Sequence, residues 1–105
     1  MDTVIIKSIN RVPIRLTIER WNHIIKRHPE LNHQKNMVIQ CIDLPDLIQK
    51  GDFGELISIK FYKNTPLTSK YLAVVYKEAD LNDGFVITAY YTSRYSERRT
   101  TIWNR

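Results

Sequence analysis

The chain has 105 residues, a net charge of +5, and 43% hydrophobic and 26% charged residues. This length is enough for one domain, residues 1–105, with a single core. It has neither an apolar stretch of the roughly 18 residues that span a bilayer nor a signal-peptide pattern, so we expect no membrane partner. The chain has a single cysteine, Cys41, so it cannot form an internal disulfide. We expect Cys41 to be a small core residue, and its reduced thiol is consistent with the cytoplasm.

The charges are unevenly distributed. Residues 15–28 hold Arg15, Arg20, Lys26 and Arg27 against one carboxylate, and residues 94–105 hold four arginines against one carboxylate, whereas residues 30–55 are mainly acidic. A molecule with one basic side can bind a polyanion there. A generic basic surface is the alternative.

The first half of the chain predicts a hairpin and two helices. Residues 3–7 and 12–16 have the pattern of two short strands, and Thr17 is a suitable N-cap for a helix over residues 18–28 that Pro29 ends. A second helix is expected from near Asn32, and Pro45 and Gly51 mark an acidic turn. The residues expected to point inward are Ile18, Trp21, Ile24, Ile25 and His28 from the first helix, and Met37, Val38, Cys41 and Leu44 from the second.

From Glu55 onward the period changes from about 3.6 to 2, which predicts strands. Strands are expected from Glu55 to Tyr62, over residues 70–77 and 84–94, and at 100–103, with turns at 64–69 and 81–84. The predicted fold is α+β, with two N-terminal helices packed on one face of a four-stranded antiparallel sheet and a short N-terminal hairpin. In the third strand, the residues expected to face the core are Phe85, Ile87, Ala89 and Tyr91.

The other face of this predicted sheet combines aromatic, hydroxyl and cationic side chains. We expect it to carry Ser58, Lys60, Tyr62, Thr88, Tyr90, Thr92 and Arg94. Aromatic rings can stack on bases and cations can neutralise phosphates, so this face is typical of a platform for single-stranded nucleic acid. Tyrosine and threonine are also simply good strand formers, but this does not explain why Lys60 and Arg94 are in phase with them.

Cleavage of RNA without a metal requires a base, an acid and cations around the phosphate. His28 ends the first helix, where the dipole favours an imidazolium, although its place on the apolar stripe also fits a core histidine. His23 is either exposed or a substrate contact. Tyr90, Thr92 and Arg94 can relay a proton, position a phosphate oxygen and hold it bidentately. Carboxylates are scarce on this face and no Cys/His spacing fits a metal, so we expect neither metal nor cofactor.

Four segments resemble the small bacterial proteins of the barnase–EndoU–colicin–RelE-like (BECR) nuclease group. They are LTIERWNHIIKRHPEL at 16–31, LPDLI at 44–48, KYLAVVYK at 70–77 and FVITAY at 85–90, and the resemblance spans about residues 16–94. It implies two helices before a four-stranded antiparallel sheet and, for many members, metal-independent ribonuclease activity as a toxin. Carried over by motif, it marks His23, His28, Thr88 and Tyr90.

The sequence therefore predicts a cytoplasmic, toxin-like endoribonuclease that cleaves RNA by attack of the 2′-hydroxyl. The partners expected are RNA and, through an acidic segment, a cognate antitoxin protein. The catalytic candidates are His28, His23, Tyr90 and Thr92, and the substrate-binding candidates are Arg94, Lys60, Tyr62, Thr88, Arg27 and Lys26. The alternatives are an RNA-binding module without catalysis, and a protein-interaction domain that uses the same face.

Overall fold

The computed structural model describes residues 3–63 and 70–105, and it is built around a single mixed sheet. Its seven strands lie in the order β1-β2-β6-β5-β4-β3-β7. The elements are β1 (Val4–Lys7), β2 (Pro13–Leu16), α1 (Ile18–Arg27), a 3₁₀ turn (Pro29–Leu31), α2 (Lys35–Asp43), β3 (Leu47–Lys50), β4 (Leu56–Phe61), β5 (Tyr71–Asp80), β6 (Asp83–Thr92) and β7 (Thr101–Asn104). Strands β2 and β6 pair in parallel, and the other neighbours are antiparallel.

The prediction of a four-stranded antiparallel sheet is wrong, although the class is α+β. The N-terminal hairpin joins the sheet through parallel pairing of Ile14 with Gly84 and of Arg15 with Phe85. The segment between Pro45 and Gly51, predicted as a turn, contains strand β3. β3 lies between β4 and β7 and thereby links the C-terminal strand to the sheet. The predicted turn at 64–69 lies outside the described residues.

Helix α1 begins and ends where the sequence predicts. Thr17 caps it, since its Oγ1 accepts a hydrogen bond of 3.1 Å from the Arg20 amide. His28 leaves the helical conformation at φ −131° and ψ 73°, because Pro29 disfavours it in the preceding residue. Trp21 and Ile24 are buried as predicted, whereas Ile18 is exposed.

Helix α2 begins three residues after Asn32, because the chain first forms the 3₁₀ turn and then passes through His33 at φ 68°. Val38 and Cys41 are buried as predicted, and Ile42 joins them. Leu44 was expected to point inward but is 58% exposed, because it is the C-cap and lies past the buried stripe. Among the described residues, no helix is long and apolar enough to cross a membrane.

Both helices pack on one face of the sheet, and the main core lies between them and that face. It includes Leu16, Ile24, Val38, Leu72 and Val74. The opposite face, which we call the helix-free face, has a smaller cluster of buried residues, made by Ile57, Ile59 and Ala73, with Tyr71, Val75, Tyr90 and Tyr95 packed against it. Apolar residues therefore lie on both faces.

Two apolar faces explain why the orientation predicted for β4 is wrong. Ile57 and Ile59 lie on the helix-free face, while Ser58, Lys60 and Tyr62 lie on the helix side. Lys60 Nζ donates a hydrogen bond of 2.6 Å to the carbonyl of Leu44 at the end of α2, and Tyr62 Oη donates one of 2.6 Å to Gln40 Oε1. The alternation was predicted correctly, but the two faces were exchanged.

A β-bulge in β6 explains a second error. Val75 pairs with Thr88, but Tyr76 pairs with Val86, so Ile87 is an extra residue. The bulge shifts the alternation, and Val86 is buried instead of Phe85 and Ile87. Beyond the bulge the prediction is confirmed, since Ala89 and Tyr91 face the helices.

Candidate nucleic-acid interface

Residues 93–100, which we call the crossing segment, run over the helix-free face. They connect β6, near the middle of the sheet, to β7 at its edge, and therefore pass β5, β4 and β3. The ring of Tyr95 packs edge-on against Tyr71 with centroids 5.5 Å apart. Gln49 of β3, 2% exposed, donates a hydrogen bond of 2.7 Å from Nε2 to the carbonyl of Ser96. These two contacts hold the crossing segment against the sheet.

A small cavity of about 70 Å³ lies between the crossing segment and the sheet. Its lining combines Ile57, Ile59 and Ala73 with the polar residues Gln49, Tyr90, Thr92, Arg94, Tyr95, Ser96 and Arg99. The volume corresponds to about two water molecules. It has no room for a nucleotide, so any polymeric ligand must lie across its mouth.

The crossing segment carries three arginines, of which Arg94 and Arg99 line this cavity. The guanidinium of Arg99 is already paired, because its Nη1 donates to Asp52 Oδ1 at 3.0 Å and to the carbonyl of Lys50 at 3.5 Å. Arg94 and Arg98 are exposed, and neither forms an ion pair with a carboxylate in the part of the chain that is described. Arg94 lines the cavity, and Arg98 lies with Arg94 along an adjoining depression of the crossing segment, so both exposed guanidinium groups can bind phosphate.

The end of helix α1 places His28 near Tyr90. The helix runs beside β6, where Arg20 Nη1 donates a hydrogen bond of 3.3 Å to the carbonyl of Ile87. At its end, the imidazole of His28 lies 6.1 Å from the ring of Tyr90, measured between centroids, and the side chain is 32% exposed. Its Nδ1 is 3.7 Å from Glu30 Oε2. His28 is therefore not a fully buried core histidine, and it adjoins a residue that lines the cavity.

Thr92 lies where it was predicted, but its hydroxyl already has partners. Its Oγ1 donates to the carbonyl of Arg94 at 2.7 Å and accepts from the Arg94 amide at 3.4 Å. This local turn is typical of threonine where a strand ends. It fixes the start of the crossing segment, so the geometry indicates that Thr92 positions Arg94.

The other candidates are spread over the surface. Thr88 lies on the helix-free face opposite Val75 and does not line the cavity. His23 is exposed and lies with Thr17, Glu19 and Arg20 on the outer side of α1. Lys26 and Arg27 are exposed in the last turn of α1, where cations stabilise the helix dipole. Lys60 and Tyr62 bind α2 on the opposite face, so neither belongs to this interface.

Sequence reasoning missed three aromatic residues on the helix-free face, Phe61, Tyr71 and Tyr95. Phe61 follows Ile57 and Ile59 in phase, and its cross-strand partner is Tyr71. The signal was present in the alternation of β4 and β5, but it was assigned to the buried side. Tyr95 follows Arg94 directly, and its contact with Tyr71 depends on the course of the crossing segment.

No cluster of three or more His, Cys, Asp or Glu side chains that could hold a metal ion occurs among residues 3–63 and 70–105. The thiol of Cys41 is fully buried on the helix side, and this burial raises its pKa strongly. A thiol held protonated is a poor nucleophile or metal ligand. Cys41 is therefore a core residue, as the sequence predicts.

Comparisons with known protein families, with curated proteins and with solved structures found no match to this chain. The resemblance to the BECR nuclease group therefore depends on the four sequence segments alone.

Proposed function

We propose that this protein is an endoribonuclease of the BECR type that binds RNA across the helix-free face and cleaves it without a metal. The observation that supports the proposal most directly is the arrangement around one cavity: Tyr90 and Arg94 line it, and His28 lies against Tyr90. A phosphate-binding cation and two groups that can carry protons thus lie next to each other.

The proposed reaction is a transesterification. The 2′-oxygen of one nucleotide forms a bond to the adjacent phosphorus, and the bond between that phosphorus and the 5′-oxygen of the next nucleotide breaks. A ring nitrogen of His28 accepts the proton of the 2′-hydroxyl, and the phenol of Tyr90 donates one to the departing 5′-oxygen. Arg94 binds the non-bridging oxygens, where negative charge increases in the transition state. The products are a 2′,3′-cyclic phosphate and a 5′-hydroxyl.

A second candidate is an RNA-binding module without catalysis. The small volume of the cavity favours it, because about 70 Å³ does not enclose a ribose phosphate and exclude water around it. On this hypothesis the same arginines bind RNA, and His28 and Tyr90 do no chemistry. Steep salt dependence of binding is expected in both cases, so only the fate of the RNA separates them.

The exposed arginines of the crossing segment can also bind an acidic protein segment. Arg94 and Arg98 can bind carboxylates as well as phosphates, so we include a cognate antitoxin among the proposed partners, and the cytoplasm as the proposed location. Such a partner would cover the arginines and compete with RNA. Inhibition of cleavage by that partner is expected only if the two ligands share the helix-free face.

The decisive experiment is incubation of the purified protein with total RNA in EDTA, followed by analysis of the fragment ends. We expect 2′,3′-cyclic phosphates and 5′-hydroxyls. Tyr90→Phe should abolish most of the activity, whereas the neighbouring Tyr91→Phe should preserve it, because Tyr91 Oη donates to Gln34 Oε1 on the helix side. Cleavage that requires added magnesium and leaves 5′-phosphates would refute the mechanism. Saturable binding of RNA that stays intact would favour the second candidate.

A further inference from the structure

Three aromatic rings form a continuous row on the helix-free face. Phe61 contacts Tyr71 with ring centroids 5.6 Å apart and an interplanar angle of 65°, and Tyr71 contacts Tyr95 at 5.5 Å and 87°. The rings come from β4, β5 and the crossing segment. We call Phe61, Tyr71 and Tyr95 the aromatic row. It begins beside Arg94 and ends at Phe61.

The outer end of the aromatic row is open. Phe61 is 47% exposed, whereas Tyr71 and Tyr95 are half-buried. The strand pairing of Phe61 with Tyr71 and the ring contact between them already restrict the side chain. A base that stacks on an ordered ring loses little of its binding energy to immobilising that ring. Phe61 therefore differs from Phe53, which is 86% exposed in the turn between β3 and β4.

Each end of the aromatic row has a cationic residue close to it in the chain. Arg94 is the neighbour of Tyr95, and Lys63 follows the strand that carries Phe61; both are exposed. One carboxylate contacts the backbone of the aromatic row: Asp46 Oδ2 accepts a hydrogen bond of 2.8 Å from the Phe61 amide. Its Oδ1 lies 3.0 Å from Arg105 Nη2, so an opposite charge lies beside it. Stacking surfaces between cations suit a chain of bases joined by phosphates.

We propose that the aromatic row binds unpaired bases of the RNA that flank the phosphate held by Arg94. This inference depends on the proposed binding of RNA and adds the substrate class: the strand must be single, because stacking on Phe61 needs a base that is not already stacked in a duplex. The bases are bound by their faces, so the subsite tolerates different sequences. The phosphate between Tyr95 and the cavity is then the one that is cleaved.

The test measures binding of fluorescent 2′-O-methyl RNA, which lacks the attacking hydroxyl, as a 12-nucleotide single strand and as the same sequence in a duplex. We expect Phe61→Ala to weaken binding of the single strand by about 5-fold to 150-fold, the range for loss of one stacked base, and to change duplex binding little. Phe61→Tyr should bind like the wild type. Phe53→Ala is the matched control and should also bind like the wild type.

Phe61→Leu keeps an apolar side chain against Tyr71 but has no aromatic face, and it should weaken single-strand binding even if the alanine variant is poorly folded. Unchanged single-strand affinity in folded Phe61→Leu, together with weaker binding by Arg94→Ala, would overturn the stacking subsite and leave RNA binding intact. Equal losses for single strand and duplex would also overturn it. A wild-type protein that binds neither RNA would refute both the subsite and the proposed function.

Discussion

The imidazole of His28 and the phenol of Tyr90 lie side by side, with ring centroids 6.1 Å apart, although one ends a helix and the other belongs to a strand. The hydrogen bond from Arg20 to the carbonyl of Ile87 helps to keep α1 beside β6. Because two regular elements carry the pair, its geometry does not depend on a mobile loop. A fixed pair of this kind is what proton transfer requires.

The first prediction concerns His28. His28→Gln should lower the turnover of RNA by roughly 10²–10⁴-fold, the range for loss of a positioned base, because glutamine cannot accept the proton. The melting temperature should change little, since the side chain is 32% exposed. Turnover on RNA and thermal unfolding are measured on the same preparation.

His23→Gln is the matched control for this experiment. His23 is exposed on the outer side of α1 and contacts neither Tyr90 nor the cavity. Its replacement should leave turnover unchanged. If His23→Gln reduces turnover as strongly as His28→Gln, the proton acceptor lies elsewhere than beside Tyr90.

The second prediction concerns Arg94. Arg94→Ala should weaken RNA binding and reduce the slope of log K against log salt by about one unit, because one phosphate contact is lost. Lys60→Met removes the same charge on the helix side and should leave the slope unchanged. It should instead cost about 1 kcal/mol of folding free energy, since Lys60 Nζ donates to the carbonyl of Leu44.

Titrations of labelled RNA at several salt concentrations measure the slope, and urea unfolding measures the stability. A smaller slope in Lys60→Met and an unchanged slope in Arg94→Ala would mean that RNA binds the helix side of the sheet, where Lys60 lies.

Much of the fold was predictable because its signals are local. Thr17 and Pro29 bound α1, and alternating residues predict β4, β5 and most of β6. Strand β3 was missed because Pro45 and the acidic residues around it resemble a turn, while its partners β4 and β7 follow later in the chain. The parallel pairing joins β2, near the start of the chain, to β6, which comes much later in the sequence, and no local pattern indicates it.

The candidate site was predicted only in part, for a reason that β4 illustrates. Ile57 and Ile59 were assumed to face the helices, because a sheet with helices on one side usually has one polar face. Here the crossing segment covers the other face, so both faces need apolar residues. Tyr90 and Arg94 were placed correctly because they belong to a strand end and its continuation. Lys60 and Tyr62 were not, since the choice of face depends on packing.

The third prediction concerns the attachment of the crossing segment. Gln49→Leu removes the hydrogen bond to the carbonyl of Ser96 but keeps the volume of the side chain. The segment should then open more often, and trypsin should cut after Arg98 and Arg99 faster than in the wild type. Limited proteolysis with mass spectrometry measures both the rate and the sites.

Gln40→Leu is the control for this prediction, because Gln40 accepts the hydrogen bond of Tyr62 Oη on the helix side. It should leave the rate of cleavage after Arg98 and Arg99 unchanged at equal folding stability. Equal acceleration in both variants would mean that trypsin detects global unfolding and that Gln49 does not hold the segment.

The fourth prediction concerns pH. Arg15 donates from Nε to Asp83 Oδ1 at 2.9 Å and from Nη2 to Oδ2 at 3.0 Å. This hydrogen bonding, together with the charge of Arg15, holds the pKa of Asp83 below its usual value. A carboxyl with a lowered pKa in the folded state stabilises that state above its unfolded pKa, and the contribution is lost as the pH falls through the folded pKa.

Asp83→Asn should therefore be less stable than the wild type at neutral pH, and the difference should shrink as the pH falls below the usual range of an aspartate. Both groups are partly exposed, so added salt should also reduce the difference. Arg15→Gln should lose the same pH-dependent contribution, because it removes the other partner. Urea unfolding at neutral and acidic pH measures the free energies, and a difference that does not vary with pH in either variant would show that this ion pair does not stabilise the parallel junction of β2 with β6.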